Sequence, residues 1–552
     1  MFEQLINTIN DALYSYILII ILVLGGLYFT FRTKFVQFRL LKEQFKAVLE
    51  KPENGVSSFQ ALMVSTASRV GTGNIIGVST ALCLGGFGSV FWMWVIAIVG
   101  SASAFIESTL AQIYKRKGSD GSYGGPAYYI ETALHNKPLA IVFSILLIIT
   151  YGFGFNMLAS YNLQSTFSGY SFYDAEKTPW IIGFAVAIVV GYCLFGGGKR
   201  VIKVTSTLVP FMGVAYIVVA LVIVFMNISM LPNIFKTIFT EAFNFDAIFG
   251  GFSGSCVMFG IKRGLFSNEA GVGSAPNASA SAEVNHPVKQ GLVQVLSVFI
   301  DTILICSATA FMCMSSGVEP SAELSGAPYV QAALSNTLGK FGPIFITVAM
   351  ILFAFTTLIG NLFYVDKCIF HICGKKPSKV FMRVYYIIAS VIIFVGAGLS
   401  ADLLWGIADV TMGAMTLINM PVILFLGKYA YRALKDYEKT LLPNATSFGQ
   451  TVHVDGNYVG DIWCYCIDMD DEPNCMLSFC IFELEYWSKG IATTAVNMFI
   501  KNVCAQYNVK TIGAFTFAHN NASIRVLEKN GFVVMEEFEE NGVWSKYLQC
   551  EC

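Results

Sequence analysis

Long apolar runs separated by short polar links fill the first 430 residues. A crossing helix needs about 20 apolar residues. By that measure the pattern predicts eleven spans, near 14–31, 57–84, 87–113, 139–168, 180–197, 204–228, 250–267, 289–314, 343–371, 380–399 and 402–427. Near residue 440 the pattern changes. Thr451–Met469 alternates as strands do around Asp455-Gly456-Asn457, where the Asp-Gly pair predicts a hairpin turn. Met476–Leu484 and Thr511–Phe517 also read as strands. A helix follows Gly490 to about Ala505, and Asn520 caps another that runs through Lys529 to Asn530-Gly531. The chain therefore divides into a membrane part, 1–430, a link, 431–446, and a small mixed domain, 447–552.

Basic residues set the orientation. Arg32, Lys34, Arg39, Lys42, Lys46 and Lys51 follow the first span, and similar groups follow the third, fifth, seventh, ninth and last. The alternate loops are sparsely basic, with Lys177 and Lys236 each beside acidic neighbours. The positive-inside bias places the N-terminus outside and the C-terminus in the cytoplasm of a cell-membrane protein. Met1–Ala12 carries Glu3 and Asp11 and no basic residue, unlike a signal peptide. Val36–Leu49 is amphipathic and basic. It reads either as a helix lying along the inner membrane face or as an ordinary connector.

Composition agrees with the span pattern. Apolar residues make up 55% and charged residues 13%, against roughly 25% charged in soluble domains. A formal net charge of -1 argues against nucleic acid as the main partner. The fourteen cysteines contain no C-x-x-C pair, and the five histidines show no metal-ligand spacing. Cys464, Cys466, Cys475, Cys480, Cys504, Cys550 and Cys552 lie in the last part, where free thiols suit a reducing cytosol.

Chemistry enters at the second span. Gly71, Gly73 and Gly77 interrupt it, and glycine is a poor helix former. A break inside the bilayer frees backbone groups that lipid cannot satisfy. Such breaks are tolerated where the freed groups hold a solute or ion: half-helix N-termini suit an anion and loose carbonyls suit a cation. The seventh span is disrupted in the same way at Gly250-Gly251-Phe252-Ser253-Gly254-Ser255. Five spans begin with each broken helix. Five is odd, so the second set enters from the opposite face, giving an inverted repeat with a midplane site. The plainer reading is that the glycines only permit close helix packing.

Asn54-Gly-Val-Ser-Ser-Phe-Gln-Ala-Leu-Met, Arg69-Val-Gly-Thr-Gly-Asn-Ile, Gly124-Gly-Pro-Ala-Tyr-Tyr-Ile and, above all, Lys262-Arg-Gly-Leu-Phe-Ser-Asn-Glu-Ala-Gly-Val-Gly-Ser-Ala-Pro276 resemble the alanine or glycine:cation symporter family over about 1–430. The resemblance implies a polytopic all-α, leucine-transporter-type five-plus-five inverted repeat with one extra N-terminal helix. It also implies uptake of small neutral amino acids coupled to sodium or protons. It places the substrate at Gly71, Thr72, Gly73 and Asn74, with the Thr72 and Gly73 N–H groups on its carboxylate. It places sodium at the Ala67 and Val70 carbonyls and the Thr356 and Thr357 hydroxyls. Oxygen ligands suit a hard cation, while i−4 back-bonding within the helix is the plainer reading of the Thr pair. Phe252, Gly254 and Ser255 of the second broken helix would also touch the amino acid. The family commonly carries Asn-x-x-Gln in its third core helix. Here Asn156 is followed by Ala159, so Gln164 is the substitute or the pocket is larger. Lys262, Arg263, Asn268 and Glu269 read as a charged inner gate or as a loop salt bridge.

The tail resembles the acyl-CoA-binding half of the GCN5-related N-acetyltransferases, an α/β fold. Ser488, Lys489, Gly490, Ile491, Ala492 and Thr493 correspond to the loop and helix start that hold the coenzyme pyrophosphate. A helix N-terminus is a ready anion site. Asn520…Ser523 and Lys529-Asn-Gly-Phe532 match the later helix and strand. The family's leading strand and two helices have no counterpart here, and Tyr547 and Glu483 are candidate bases only by residue type. Three readings stay open: a symporter with an inert remnant, a symporter whose tail binds acetyl-CoA, and a membrane-anchored N-acetyltransferase.

Overall fold

The computed structural model describes the chain except residues 1, 53, 119–120, 245–250, 252–254, 376, 442–446, 469–472 and 541. It separates into two compact units, Met1–Ala433 and Leu434–Cys552.

The first unit is helical. It opens with a helical run, Phe2–Ala12, a π-helical turn Leu13–Ile17 and α1 (Leu18–Arg32). Next come α2 (Ser58–Arg69), α3 (Ile76–Gly85), α4 (Ser89–Ile113) and α5 (Lys137–Ser165). They are followed by α6 (Thr178–Leu194), α7 (Gly197–Met226), α8 (Cys256–Asn268) and α9 (Val288–Met314). The last three are α10 (Phe341–Cys373), α11 (Lys379–Gly396) and α12 (Ala401–Thr440). Two helices contain π-helical stretches, Ile148–Gly154 in α5 and Phe299–Cys306 in α9.

Among the described residues seven helices are long and apolar enough to cross a membrane: α4, α5, α7, α9, α10, α11 and α12. Leu18–Arg32, Thr72–Gly85 and Thr178–Leu194 are shorter apolar helices. Several boundaries differ from the sequence pattern. The span expected at 57–84 is two helices, because the chain unwinds after Arg69. The span expected from 204 starts at Gly197, and the last helix runs unbroken to Thr440 through the amphipathic stretch that follows it. Val36–Leu49 is two helices that part at Leu40. The disruption at 250–255 falls largely outside the described residues.

Helix α4 is enclosed, packing against α1, α8 and α9, while α2 lies against α7 and α10. Outer helices instead present Ile181, Phe184, Phe211, Val214, Val384 and Ile387 outward. A contiguous apolar exterior of that kind is a lipid-facing surface. Beyond α4, β1 (Arg116–Gly118) and β2 (Gly121–Tyr123) pair antiparallel. Glu283 ties this hairpin down. It accepts a hydrogen bond from the Ser122 hydroxyl and pairs with Lys115 Nζ at 3.2 Å, while its own N–H donates to Val56 O at 2.8 Å.

The second unit is a six-stranded sheet, β3 (Ser447–Val454), β4 (Asn457–Asp468), β5 (Asn474–Ile481), β6 (Thr511–Phe517), β7 (Val533–Glu540) and β8 (Val543–Glu551), in the order β3-β4-β5-β6-β8-β7. Asp455 and Gly456, at φ +50° and +84°, make the two-residue turn between β3 and β4, the geometry that an Asp-Gly pair favours. α13 (Ile491–Tyr507) and α14 (Asn521–Glu528) belong to this unit. Side chains alternate along the strands. Ile462, Cys464, Leu477, Ile512 and Leu548 pack with Val496, Phe499 and Val503 of α13, and Trp463 and Phe515 stay exposed. Two of the expected free thiols, Cys504 and Cys552, are joined as a disulfide. Their Cα atoms, 5.7 Å apart where α13 meets the end of β8, lie within bridging range. Cys464, Cys466, Cys475, Cys480 and Cys550 are free.

Candidate functional site

The site begins with how α2 stops. A capping box starts the helix: Gln60 N–H donates to Ser57 Oγ at 3.2 Å and Ser57 N–H to Gln60 Oε1 at 3.0 Å. At the other end Val70 takes ψ +89°, Gly71 is extended, and Thr72–Asn74 make a single 3₁₀ turn before α3. In a continuous helix Gly71 N–H would donate to Ala67 C=O. Instead it donates to the Asn74 side chain, Oδ1, at 2.8 Å. The whole break is buried, with Thr72 at 3% and Asn74 at 0% exposure. Backbone polarity is thus exposed to the interior of the bundle rather than to lipid.

Asn74 is the hub. Its Nδ2 donates to Asp301 Oδ1 at 2.7 Å and reaches Ser267 Oγ at 3.0 Å. Asp301, fully buried in the π-helical stretch of α9, also accepts from Ser267 Oγ and Thr302 Oγ1, each at 2.7 Å on Oδ2. Three donors satisfy this carboxylate, and hydrogen bonds to a charged group are the stronger kind. Asp301 and Ser267 escaped the sequence reading. An acid in the middle of an apolar span was the available signal.

The predicted residues fall as follows. Thr357 Oγ1 is buried without a hydrogen-bond partner and lies so close to Gly71 that a Cβ there would overlap it. Thr356 faces α7. Its hydroxyl donates to Leu352 O at 3.0 Å and Phe353 O at 3.1 Å, the back-bonding pattern, and touches Met212 Sδ at 3.5 Å. Ala67 and Val70 close α2 at the break. Gly73 lies under the Phe266 ring, whose Cε1 would be 2.8 Å from an added Cβ. Phe266 packs against Phe155 at 4.6 Å and Trp405 at 4.8 Å between centroids, with the rings tilted, an aromatic wall that the sequence reading did not assign. Gln164 Oε1 accepts from Tyr173 OH at 2.8 Å. The side chain of α5 that reaches the break is Asn162, whose Nδ2 donates to Thr72 Oγ1 at 3.1 Å. Ser255 caps α8, its Oγ accepting from Met258 N–H at 3.3 Å. It lies eleven residues before Phe266, roughly 16 Å along the helix. Phe252 and Gly254 lie outside the described residues.

The expected charged gate is two clusters. Asp409 takes Lys262 Nζ at 3.0 Å and Arg263 Nη1 at 3.4 Å. Lys262 also donates to Asn10 Oδ1 at 3.1 Å, and Arg263 covers the Trp405 ring at 3.9 Å. Asn10 lies near the end of the first helical run, and Asp409 lies in the first third of α12. Glu269 sits elsewhere, accepting from Ser274 Oγ at 2.7 Å and Ser68 Oγ at 3.3 Å. Successive turns of α8 separate the two groups.

In the sheet unit, Ser488 and Gly490 both take positive φ, +60° and +80°, in the loop that delivers the chain to α13. The N–H groups of Ile491, Ala492 and Thr493 open that helix and have no intrahelical acceptor. Lys489 lies over the Tyr486 ring at 5.5 Å. Strands β5 and β6 run parallel but pair only at Asn474↔Thr511, Cys475↔Ile512 and Met476↔Gly513, then part. A cleft of about 320 Å³ opens between them, lined by Leu477, Ser478, Phe479, Thr516 and Phe517, with Asn520 and Ser523 at its rim. Asn520 Oδ1 accepts from Ser523 N–H at 3.2 Å. Tyr547 is paired with Phe515 across β6 and β8, its OH donating to Gln549 Oε1 at 3.4 Å. Glu483 precedes the short helical turn Leu484–Tyr486.

A helical bundle with seven crossing-length apolar helices and a buried, polar break defines a multi-pass membrane protein of the transporter class. The profile of the sodium:alanine symporter family matches residues 1–448, and the chain belongs to that family. It is 44% identical over 440 residues to the amino-acid carrier protein AlsT of Bacillus subtilis, covering 79% of this chain and 92% of that one. It is 42% identical over 442 residues to the probable sodium/glutamine symporter GlnT of the same organism, covering 79% and 91%. With the sodium/alanine symporter AgcS of Methanococcus maripaludis it shares 37% over 439 residues, covering 77% and 95%. An acetyltransferase (GNAT) domain profile matches residues 429–533.

Proposed function

We propose that the protein imports a small neutral amino acid, alanine or glycine, together with sodium by alternating access. In this reading 1–430 is a leucine-transporter-type five-plus-five inverted repeat preceded by one extra helix. It lies in the cell membrane with its N-terminus outside, followed by a link at 431–446 and an acetyltransferase-like domain at 447–552. The N–H groups of Thr72 and Gly73 receive the carboxylate, Asn74 and Gly71 shape the turn, and Asn162 holds Thr72 in place. The aromatic wall of Phe155, Phe266 and Trp405 limits side-chain size. Sodium meets the Ala67 and Val70 carbonyls and Thr357 Oγ1. Thr356 contributes lone pairs only, since its proton is committed to the helix backbone.

One observation carries this reading: the fully buried break at Val70–Ile75 with the unpartnered Thr357 hydroxyl against Gly71. A buried hydroxyl oxygen beside freed carbonyls is an oxygen-rich setting that suits a hard monovalent ion. Uptake of labelled alanine and glycine into vesicles, with and without a sodium gradient, tests it. Sodium-dependent accumulation is the expected result. Its absence for every small neutral amino acid rejects the reading.

For the tail, the parted β5 and β6 and the positive-φ loop before α13 favour binding of acetyl-CoA, its pyrophosphate on Ser488–Thr493 and its rim contact at Asn520. Titration of the whole protein in detergent with acetyl-CoA tests this. No heat of binding leaves the tail an inert remnant, and acetyl transfer to added amines favours the membrane-anchored enzyme.

A further inference from the structure

Three carboxylic acids are buried in the helical unit around one buried arginine: Glu107, Glu269 and Asp301 around Arg69, none more than 2% exposed. They are not equally supported. Asp301 accepts three hydrogen bonds, and Glu269 has a serine hydroxyl at each oxygen. Glu107, on α4, has one side-chain donor, with the Gly271 backbone N–H beside it. Its Oε2 accepts from Asn419 Nδ2 at 2.9 Å, while Oε1 is buried with no partner. Asn419 has nothing more to offer, because Nδ2 also serves Gly271 O at 2.9 Å and Oδ1 accepts from Tyr129 OH. Among the described residues no cation lies within ion-pair distance of Glu107. The charged and titratable groups facing it are Arg69 on α2, Glu269 after α8, Tyr129 on the short helix Pro126–Ala133 and Tyr364 on α10. Arg69 spends Nη1 on Gln294 Oε1 at 2.8 Å and keeps Nε and Nη2 buried without partners.

We infer that Glu107 is a proton-carrying site: its carboxyl holds one proton while the bundle is closed around it and gives it up once during each transport cycle. This rests on the transport reading above and extends it to a second coupling ion. An ionised carboxylate met only by neutral donors is strongly disfavoured in a dry interior, and an intramembrane acid without a paired cation is a proton site by default. The step balances simply. Water on the entry side gives a proton to the Glu107 carboxylate, the neutral acid persists while buried, and water on the exit side takes the proton back. The unused Nε and Nη2 of Arg69 are the groups able to offset the charge once the proton has left.

Two measurements on the full-length protein test this. The first is the infrared carbonyl band of a buried protonated carboxyl, followed across the neutral pH range. The wild type is expected to show a band that Glu107→Gln lacks and Glu107→Asp retains. A wild type with no such band at any pH overturns the inference, including the case in which sodium rather than a proton sits at Oε1. This arm needs no transport. The second is internal acidification of dye-loaded vesicles when alanine is added under equal sodium on both sides. Acidification that tracks uptake in the wild type and is lost in Glu107→Gln is expected. Sodium-dependent uptake with no pH change overturns the proton site while leaving the transport reading intact. Absence of uptake with the band present overturns the transport reading instead.

Discussion

At the scale of single residues the break depends on two close fits. Gly71 leaves no room for a methyl group because Thr357 Oγ1 occupies that space. Gly71→Ala therefore has to displace either the hydroxyl or the turn, and alanine uptake is expected to fall at least about tenfold, the effect of losing roughly 1.4 kcal/mol of fit. Vesicle uptake measures it, and wild-type rates would remove Thr357 from the site. Asp301 is the second. Asn in its place keeps the shape but turns a donor toward Ser267 or Thr302 and removes the charge that holds Asn74. Hydrogen bonds to a charged group contribute about 1.5–3 kcal/mol each. Asp301→Asn is expected to lower uptake tenfold or more, with the larger part in maximal rate, while protein levels in the membrane stay measurable. Equal kinetics would show that Asn74 stands without it.

At the scale of elements, what could be read from the sequence depended on whether the signal was local. The glycines of the second span announced its break, and Asp455-Gly456 announced a hairpin, because each dictates its own backbone. The parting of β5 and β6 was invisible, since it arises from a pairing between strands more than thirty residues apart. Asn162 was passed over for Gln164 for a related reason: helix phase decides which side chain reaches Thr72, and residues two apart on an α-helix face nearly opposite ways. The Lys262–Arg263 pair shares a motif with Glu269 but not its surroundings. Two element-scale predictions follow from local geometry. In the loop before α13, Gly490 sits at φ +80°. Gly490→Val is expected to weaken acetyl-CoA binding about tenfold, because a β-branched residue there costs roughly 1–2 kcal/mol. Titration calorimetry on the full chain checks it. At the β1–β2 hairpin, burial pushes Glu283 up, but the Ser122 hydroxyl and the Lys115 ammonium outweigh it and hold the carboxyl below its usual range. A depressed folded value means that the clasp is fully effective above the unfolded value of about 4.3 and is lost as pH falls through the folded one. Melting temperature in detergent is expected to drop more steeply on acidification below that point in the wild type than in Glu283→Gln.

On the scale of the whole molecule the two units are built on different principles. One buries its polarity and shows lipid an apolar coat. The other is a sheet packed against helices, joined to the first by the continuous helix α12. Its strands run in the order β3-β4-β5-β6-β8-β7, and an acetyltransferase profile matches residues 429–533. A chain ending after Thr440 is expected to retain sodium-dependent alanine uptake within about twofold of the full protein, since every residue at the break lies before that point. Loss of uptake with normal membrane insertion would make the tail part of the transport cycle.

The eight-residue π stretch Phe299–Cys306 decides what α9 can present to Asn74. In ordinary α winding, residues five apart point about 140° away from each other. Closing each turn on the fifth residue brings them onto the same side of the helix. Asp301 and Cys306 are five apart, and both reach Asn74 Nδ2, at 2.7 and 3.3 Å. The one surplus residue works as a detent: take it out, and the thiol and the carboxylate swing to different neighbours, leaving Ser267 and Asn162 alone to latch the unwound segment of the second span.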